Sequence, residues 1–129
     1  MMSTADNYNR IYFGWDFEKT KRFYKSNPPK VGDKALVIST QANCVTYEIA
    51  KINRVNATRI YFDKAFGYGG SSFYYSGKNC WSPKGQTRLI PPEEKLITYM
   101  DSLSKNELVF TFFEYDVLFQ ILDEIDARI

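Results

Sequence analysis

The chain has 129 residues, a formal charge of +2 from 17 Lys+Arg against 15 Asp+Glu, and no histidine. Hydrophobic residues make up 44% of it and aromatic residues 17%, which is enough for one folded core and too much for a disordered chain. Because histidine is the commonest general base and metal ligand, its absence excludes catalytic triads, histidine zinc sites and histidine-based pH switches.

The first thirty residues contain an aromatic and basic segment, residues 10–29. Its aromatic side chains match helical spacing and, near its start, the alternation of a strand. We therefore predict a short strand or loop that leads into a helix from about Asp16 to Lys25. Asn27-Pro28-Pro29 should end this helix, since the residue before a proline avoids the helical region and proline cannot continue a helix.

Residues 30–91 have the pattern of short β-strands. Strand-like runs occur at 35–38, 45–55, 59–63, 73–75 and 87–90. Turn residues separate them, among them Gly32-Asp33, Asn56-Ala57 and Gly77. Five short strands joined by tight turns are typical of a small closed barrel, because closure removes exposed edges.

From Pro92 the apolar period becomes helical, and we predict a C-terminal helical hairpin over residues 92–129. Leu96, Ile97, Met100 and Leu103 mark its first helix. The run 104–107 (SKNE) matches a capping box, and the helix beyond it would extend to about Asp126. The apolar band of that second helix is wider than one core face requires. Either the helix is buried on two sides, or part of it is a partner surface.

The near-neutral total charge hides two oppositely charged parts. Residues 1–90 hold 14 basic and 6 acidic residues, a net of +8, whereas residues 91–129 hold 3 and 9, a net of −6. Such a split often accompanies a basic face for an anionic partner. The alternative is that the two segments attract each other in the folded chain.

The cysteines and apolar runs predict a reduced, cytoplasmic protein with no membrane span. Cys44 and Cys80 could form one disulfide, but no secretory signal or spanning segment is apparent. Two thiols are too few for a tetrahedral zinc site, and no other feature indicates a cofactor. Cys80 is the one noticeable candidate nucleophile, and a small buried residue beneath a loop is its simpler interpretation. We therefore predict no enzymatic activity.

Basic and aromatic residues interleave through the strand region, which favours a binding function. Such a mixture suits single-stranded nucleic acid, a nucleotide-like ligand or a protein interface. Alternatively, part of these rings fills the core. The candidate contact residues are Arg54, Arg59, Tyr68, Tyr74, Lys78, Trp81, Lys84 and Arg88.

Three stretches carry a resemblance to a known group of proteins: 30–37 (KVGDKALV), 52–61 (INRVNATRIY) and 77–89 (GKNCWSPKGQTRL). Together they resemble small SH3-like barrel proteins encoded by bacteriophages. This resemblance covers residues 30–91, and its motifs are structural. It implies a five-stranded SH3-like barrel. With the helices predicted on either side of these residues, we expect a single-domain α+β protein in which the barrel carries an N-terminal helical segment and C-terminal α-helices.

The resemblance also implies a function by stoichiometric binding. We expect a non-enzymatic accessory protein that inhibits or modulates a host protein complex in a bacterial cytoplasm, as an anti-defence inhibitor would. A nucleic-acid-binding module is the first alternative. An oligomeric protein that sequesters a nucleotide-like ligand, assembled through the C-terminal helix, is the second.

Overall fold

The helices and strands of this chain form a mixed α+β arrangement. The computed structural model describes residues 17–40, 44–67, 69–81, 86–111 and 115–126. Within them lie three helices, α1 (Phe17–Ser26), α2 (Glu94–Ser102) and α3 (Tyr115–Asp126). The strands are β1 (Lys34–Thr40), β2 (Cys44–Lys51), β3 (Arg54–Val55), β4 (Arg59–Tyr61), β5 (Ser72–Tyr74), β6 (Thr87–Ile90) and β7 (Glu107–Thr111).

A four-stranded antiparallel sheet in the order β6-β1-β2-β7 forms the centre of the molecule. Its strand β1 is buried from Ala35 to Thr40. Successive side chains of a strand point to opposite faces, so an uninterrupted buried run requires cover on both sides of the sheet. Leu36 and Ile38 enter one core, and Ala35 and Val37 enter the other.

The first core lies between the central sheet and the C-terminal helices. Leu96 and Met100 of α2 and Leu118 of α3 are fully buried against Tyr47 of β2 and its neighbours. The second core lies on the opposite face, beneath α1 and a small three-stranded sheet in the order β3-β4-β5. It contains the rings of Phe62, Phe66 and Phe73, whose centroids lie 5.3 to 5.8 Å apart.

Two isolated bridges connect the small sheet with the central sheet. Asn79 pairs with Phe73 of β5, and Lys78 pairs with Arg88 of β6. The Leu89 N–H also donates to the Gly77 carbonyl over 2.8 Å. The strand region therefore forms two separate sheets joined at β6, and no continuous ladder closes a barrel among the described residues. The mixed α+β class is confirmed, but the five-stranded SH3-like barrel is not.

The prediction that a helix begins at residues 104–107 is wrong for its first part, because residues Glu107–Thr111 form strand β7. Ser104 has a φ of 55°, and its N–H donates to the Asp101 carbonyl in the turn that ends α2. In β7, Leu108 and Phe110 are buried while Glu107, Val109 and Thr111 are exposed. A period of two explains part of the apolar band that the sequence assigned to one wide helix. The two C-terminal helices are thus separated by a strand.

Several other local predictions agree with the structure. The N-terminal helix is α1, which ends at Ser26 just before the Asn27-Pro28-Pro29 run. Cys44 and Cys80, both among the described residues, are not joined by a disulfide. No helix in the described part of the chain is long and apolar enough to cross a membrane. The strand or loop predicted ahead of Asp16 lies outside the described residues.

Two glycines with left-handed φ angles allow a matched test of the link between the sheets. Gly32 (φ 91°) has open space where a Cβ would lie, whereas a Cβ at Gly77 (φ 89°) would overlap the Leu89 carbonyl. We expect Gly32→Ala to lower the free energy of unfolding by about 1 kcal/mol, from backbone strain alone. Gly77→Ala should cost at least about 2 kcal/mol more, because the β6 contact must also shift. Urea unfolding measures both; equal losses would contradict this account of Gly77.

A second test concerns Tyr24 in the second core. Its hydroxyl is buried with no hydrogen-bond partner among the described residues, and burial, together with the Asp33 carboxylate, raises its pKa above the ordinary value of 10.0. We expect Tyr24→Phe to raise the free energy of unfolding by about 1 kcal/mol at pH 7, because an unsatisfied polar group is removed. Because folding raises this pKa, the free energy of unfolding should fall as the pH rises above 10, where Tyr24 ionises in the unfolded chain but not in the folded one; the variant lacks that loss.

Tyr75→Phe is the matched control, because the Tyr75 hydroxyl donates to the Asn56 carbonyl over 2.7 Å. It should lower the free energy of unfolding by about 1 kcal/mol. Urea unfolding at pH 7 and between pH 9 and 11 measures both variants. A destabilised Tyr24→Phe protein would show that its hydroxyl has a partner.

Candidate binding surface on the small sheet

The outward face of the small sheet carries two arginine–tyrosine pairs. Arg54 of β3 lies opposite Tyr61 of β4, and Arg59 of β4 lies opposite Tyr74 of β5. Between these rows, Val55, Ile60 and Phe73 are in register and face the second core. Since strand side chains alternate, burial of the middle row directs both Arg–Tyr rows outward.

In each pair the guanidinium lies over the tyrosine ring. The Arg54 Cζ is 4.1 Å from the Tyr61 ring centroid, and the Arg59 Cζ is 5.4 Å from that of Tyr74. Both distances are within the range of a cation–π interaction. These contacts pair four long side chains on the outward side of the small sheet.

The groups around Arg59 favour its charged form. Cys80 raises the pKa of the Arg59 guanidinium above its ordinary value, and a hydrogen bond with Tyr61 and the Tyr74 hydroxyl act in the same direction. Arginine is charged at all ordinary pH values, and Arg59 contacts the tyrosines of both rows.

The hairpin before β4 fixes the start of the Arg59 row. Asn56 Oδ1 accepts hydrogen bonds from the N–H groups of Thr58 at 3.0 Å and Arg59 at 2.8 Å. The Asn56 N–H donates to the Arg59 carbonyl over 3.0 Å, which closes the turn predicted at Asn56-Ala57. Both the N–H and the carbonyl group of Arg59 are therefore hydrogen-bonded to Asn56.

Lys78 extends the second Arg–Tyr row by one position. Its carbonyl accepts from the Tyr74 N–H over 2.9 Å across the Gly77 turn, and both residues are exposed. We call the surface formed by Arg54, Arg59, Tyr61, Tyr74 and Lys78 the Arg–Tyr face. Asp63 is the one acidic residue in the sequence from Ile49 to Pro92, so the segment that builds this face is strongly basic.

Trp81 lies beside this segment and is 71% exposed, the most of the exposed large hydrophobic residues among those described. Its indole rests on Gly70, where a Cβ would overlap the ring. Its backbone is held by Asn79, whose Oδ1 accepts from the N–H groups of Trp81 at 2.8 Å and Gly70 at 3.0 Å. Asn79 Nδ2 returns a hydrogen bond of 2.9 Å to the Gly70 carbonyl. The exposed indole of Trp81 therefore extends from a loop whose backbone is hydrogen-bonded to the Asn79 side chain.

The structure brings together four of the eight predicted contact residues: Arg54, Arg59, Tyr74 and Lys78. Trp81 is exposed near Gly70, as described above. Arg88 is only 6% exposed, with its Cζ 4.4 Å from the Phe17 ring centroid, so it does not belong to the exposed surface. The Phe17 ring at the start of α1 covers it, and the backbone of β6 is paired with β1 and bridged to Lys78. Tyr68 and Lys84 lie outside the described residues.

Sequence reasoning did not single out Tyr61 and Asn79 as parts of this surface. The strand period could have indicated Tyr61, which alternates with Ile60 and shares a face with Arg59. Asn79 offered no such signal, because two of its three hydrogen bonds are with Gly70, nine residues earlier in a loop that returns to it. The described residues include no group of three or more His, Cys, Asp or Glu side chains placed to hold a metal ion.

Asn79 gives a direct test of how Trp81 is supported. Asn79→Ala should leave the Gly70 and Trp81 backbone groups without their partner and lower the free energy of unfolding by about 1–3 kcal/mol. The Gly70 and Trp81 amides should also exchange faster by hydrogen-exchange NMR. Asn53→Ala, at an exposed asparagine, is the control and should change neither. Unchanged protection of both amides in Asn79→Ala would refute the proposed support.

Comparison with known proteins gave no assignment for this surface: no protein-family model matches the chain, and neither a curated protein nor a solved structure is similar enough to match.

Proposed function

We propose that this chain is a non-enzymatic binding protein whose Arg–Tyr face docks on an acidic surface of a host protein complex and blocks it. The observation that carries the proposal is the pair of cross-strand Arg–Tyr contacts on the exposed side of the small sheet. Tyrosine and arginine are among the residues that contribute most to protein interfaces. Here they stand on a β-sheet, so little conformational entropy is lost when a partner binds.

The same contacts favour a protein partner over single-stranded nucleic acid. Bases bind such surfaces by stacking on open aromatic faces. One face of the Tyr61 ring and one face of the Tyr74 ring are occupied by Arg54 and Arg59, which leaves less ring surface for stacking. The arginines keep hydrogen-bond donors for carboxylates at the rim of the rings, a geometry that suits acidic protein surfaces.

Nucleic acid binding is the second candidate function, and the exposure of Trp81 favours it. An indole that is 71% exposed beside a basic segment is a usable stacking platform. Binding of this kind would weaken steeply as salt rises, because phosphate contacts release counterions.

The partner class follows from the bacteriophage resemblance of residues 30–91. We infer a bacterial complex, with a defence nuclease as the first candidate to test. The SH3-like barrel remains part of this proposal. The bridges at Phe73–Asn79 and Lys78–Arg88 support it, because they place the small sheet edge to edge with β6.

The test is recovery of a partner by the double variant Arg54→Gln/Arg59→Gln. The tagged wild-type chain is expressed in bacteria that carry defence nucleases, and bound proteins are identified with and without nuclease treatment of the lysate. We expect a nuclease-resistant partner that the double variant recovers at about tenfold lower yield. The reason is that the double variant lacks the two charge-assisted contacts that Arg54 and Arg59 would make with the partner. The purified partner's activity should fall when wild-type chain is added.

Arg22→Gln is the matched control, because Arg22 is an exposed arginine on α1 and is not part of the Arg–Tyr face. It should recover the partner as the wild type does. Recovery lost on nuclease treatment, and reduced by Trp81→Ala, would replace this proposal with nucleic acid binding. Equal recovery by the wild type and the double variant would exclude the Arg–Tyr face as the binding site.

A further inference from the structure

Two arginines of the Arg–Tyr face converge on one tyrosine ring. Arg54 lies opposite Tyr61, with its Cζ 4.1 Å from the ring centroid. Arg59 precedes Tyr61 by two residues on β4, so both side chains leave the strand on the same side, and Arg59 also contacts Tyr61. Arg54 and Arg59 are therefore diagonal neighbours of an antiparallel pair, about 7–8 Å apart at the backbone and within reach of each other for long side chains. Their guanidinium groups can bind one common anion.

The Tyr61 hydroxyl supplies a further hydrogen-bond donor at the same place. It accepts a hydrogen bond of 3.3 Å from Asn56 Nδ2. A phenol oxygen that accepts this bond keeps its own O–H as a donor. No described residue accepts from that O–H, so it is available to an anion held between the two arginines.

The positive charge of this site is not balanced within the described part of the chain. No carboxylate there forms an ion pair with Arg54, Arg59 or Lys78. Asp63, the one acidic residue in the sequence from Ile49 to Pro92, lines a cavity together with Lys64. A bound anion would therefore meet three cations and no carboxylate that is paired with them.

The convergence of the arginines favours a phosphate monoester over carboxylates. Two carboxylates, one for each arginine, would be brought close together and would repel each other. A phosphorylated side chain carries a charge of about −1.5 to −2 and three acceptor oxygens on one phosphorus atom. Arginine forks bind such a group through paired hydrogen bonds. A phosphodiester of nucleic acid has only one charge at each phosphate and balances the site less well.

The open shape of the site favours a phosphate that a protein presents. Arg54 is exposed, and Arg59 and Tyr61 are half-buried on the outer side of the sheet. Small-molecule sites usually enclose most of their ligand, which an open sheet face does not do. A partner protein covers the site as it docks and excludes water from the charged contacts.

We propose that Arg54, Arg59 and the Tyr61 hydroxyl bind a phosphorylated side chain of the partner protein, with Lys78 at the rim of the site. This inference rests on the proposed function and names the group that the Arg–Tyr face recognises. Arginine clusters are a recurring means of binding phosphorylated motifs.

The first test compares two fluorescein-labelled glycine–serine peptides by fluorescence anisotropy with the full chain. One carries a single phosphoserine, and the other carries two adjacent glutamates, so that their charges match. We expect the wild type to bind the phosphopeptide about tenfold more tightly than the glutamate peptide, because only the phosphate places both charges between the two arginines. Equal binding of the two peptides would overturn the proposal.

The double variant Arg54→Lys/Arg59→Lys locates the site. It keeps both charges but lacks the planar forks, so it should bind the phosphopeptide about tenfold more weakly than the wild type does. Arg22→Lys, at an exposed arginine of α1, is the matched control and should bind as the wild type does. Unchanged binding by the double variant would show that the phosphate is bound elsewhere. A single-stranded oligothymidylate that binds as tightly as the phosphopeptide would overturn the proposal in favour of nucleic acid.

Phosphatase treatment separates failure of this inference from failure of the proposed function. The partner recovered by the wild-type chain should be recovered at about tenfold lower yield from a phosphatase-treated lysate. A partner that Arg54→Gln/Arg59→Gln fails to recover, but that phosphatase treatment does not affect, would overturn this inference and leave the proposed function in place. Equal recovery by the wild type and Arg54→Gln/Arg59→Gln would overturn both.

Discussion

Burial of β1 on both faces is the constraint on which the rest of this structure depends. A strand covered on both sides needs one layer of α2 and α3 and another of α1 and the small sheet. Full burial of an aliphatic side chain contributes about 1.5–3 kcal/mol, and β1 supplies such side chains alternately to the two cores. Removal of either layer would expose one face of β1. Both layers therefore pack against this one strand.

The two-sided sheet also explains where the proposed binding surface lies. Strand β1 is buried on both faces and paired along both edges, so it presents no side chains to solvent beyond Lys34. The Arg–Tyr face lies instead on the outer side of the small sheet, where side-chain pairs within one sheet order it. A buried apolar centre thus supports the proposed binding surface.

Prediction from the sequence succeeded where local rules decide the structure. Proline at 28 and 29 ended α1, and Asn56 made the expected turn, because both effects act within a few residues. Prediction failed for β7, since Leu108, Val109 and Phe110 continue into an apolar helix and the period of two lasts only five residues. Of the candidate surface, the arginines and Tyr74 were predictable from strand alternation. The cover over Arg88 was not, because it depends on Phe17, which is distant in the chain.

The division of charge along the sequence becomes a division in space. The basic α1 and small sheet lie on one face of the central sheet, and the acidic α2 and α3 lie on the other. The described part of the chain therefore has an electric dipole moment across its central sheet. In the electric field of a charged partner a protein with such a dipole rotates before contact, so that the face of opposite charge is oriented towards the partner. Encounter would then depend on orientation as well as on collision, and salt would slow association by weakening that alignment.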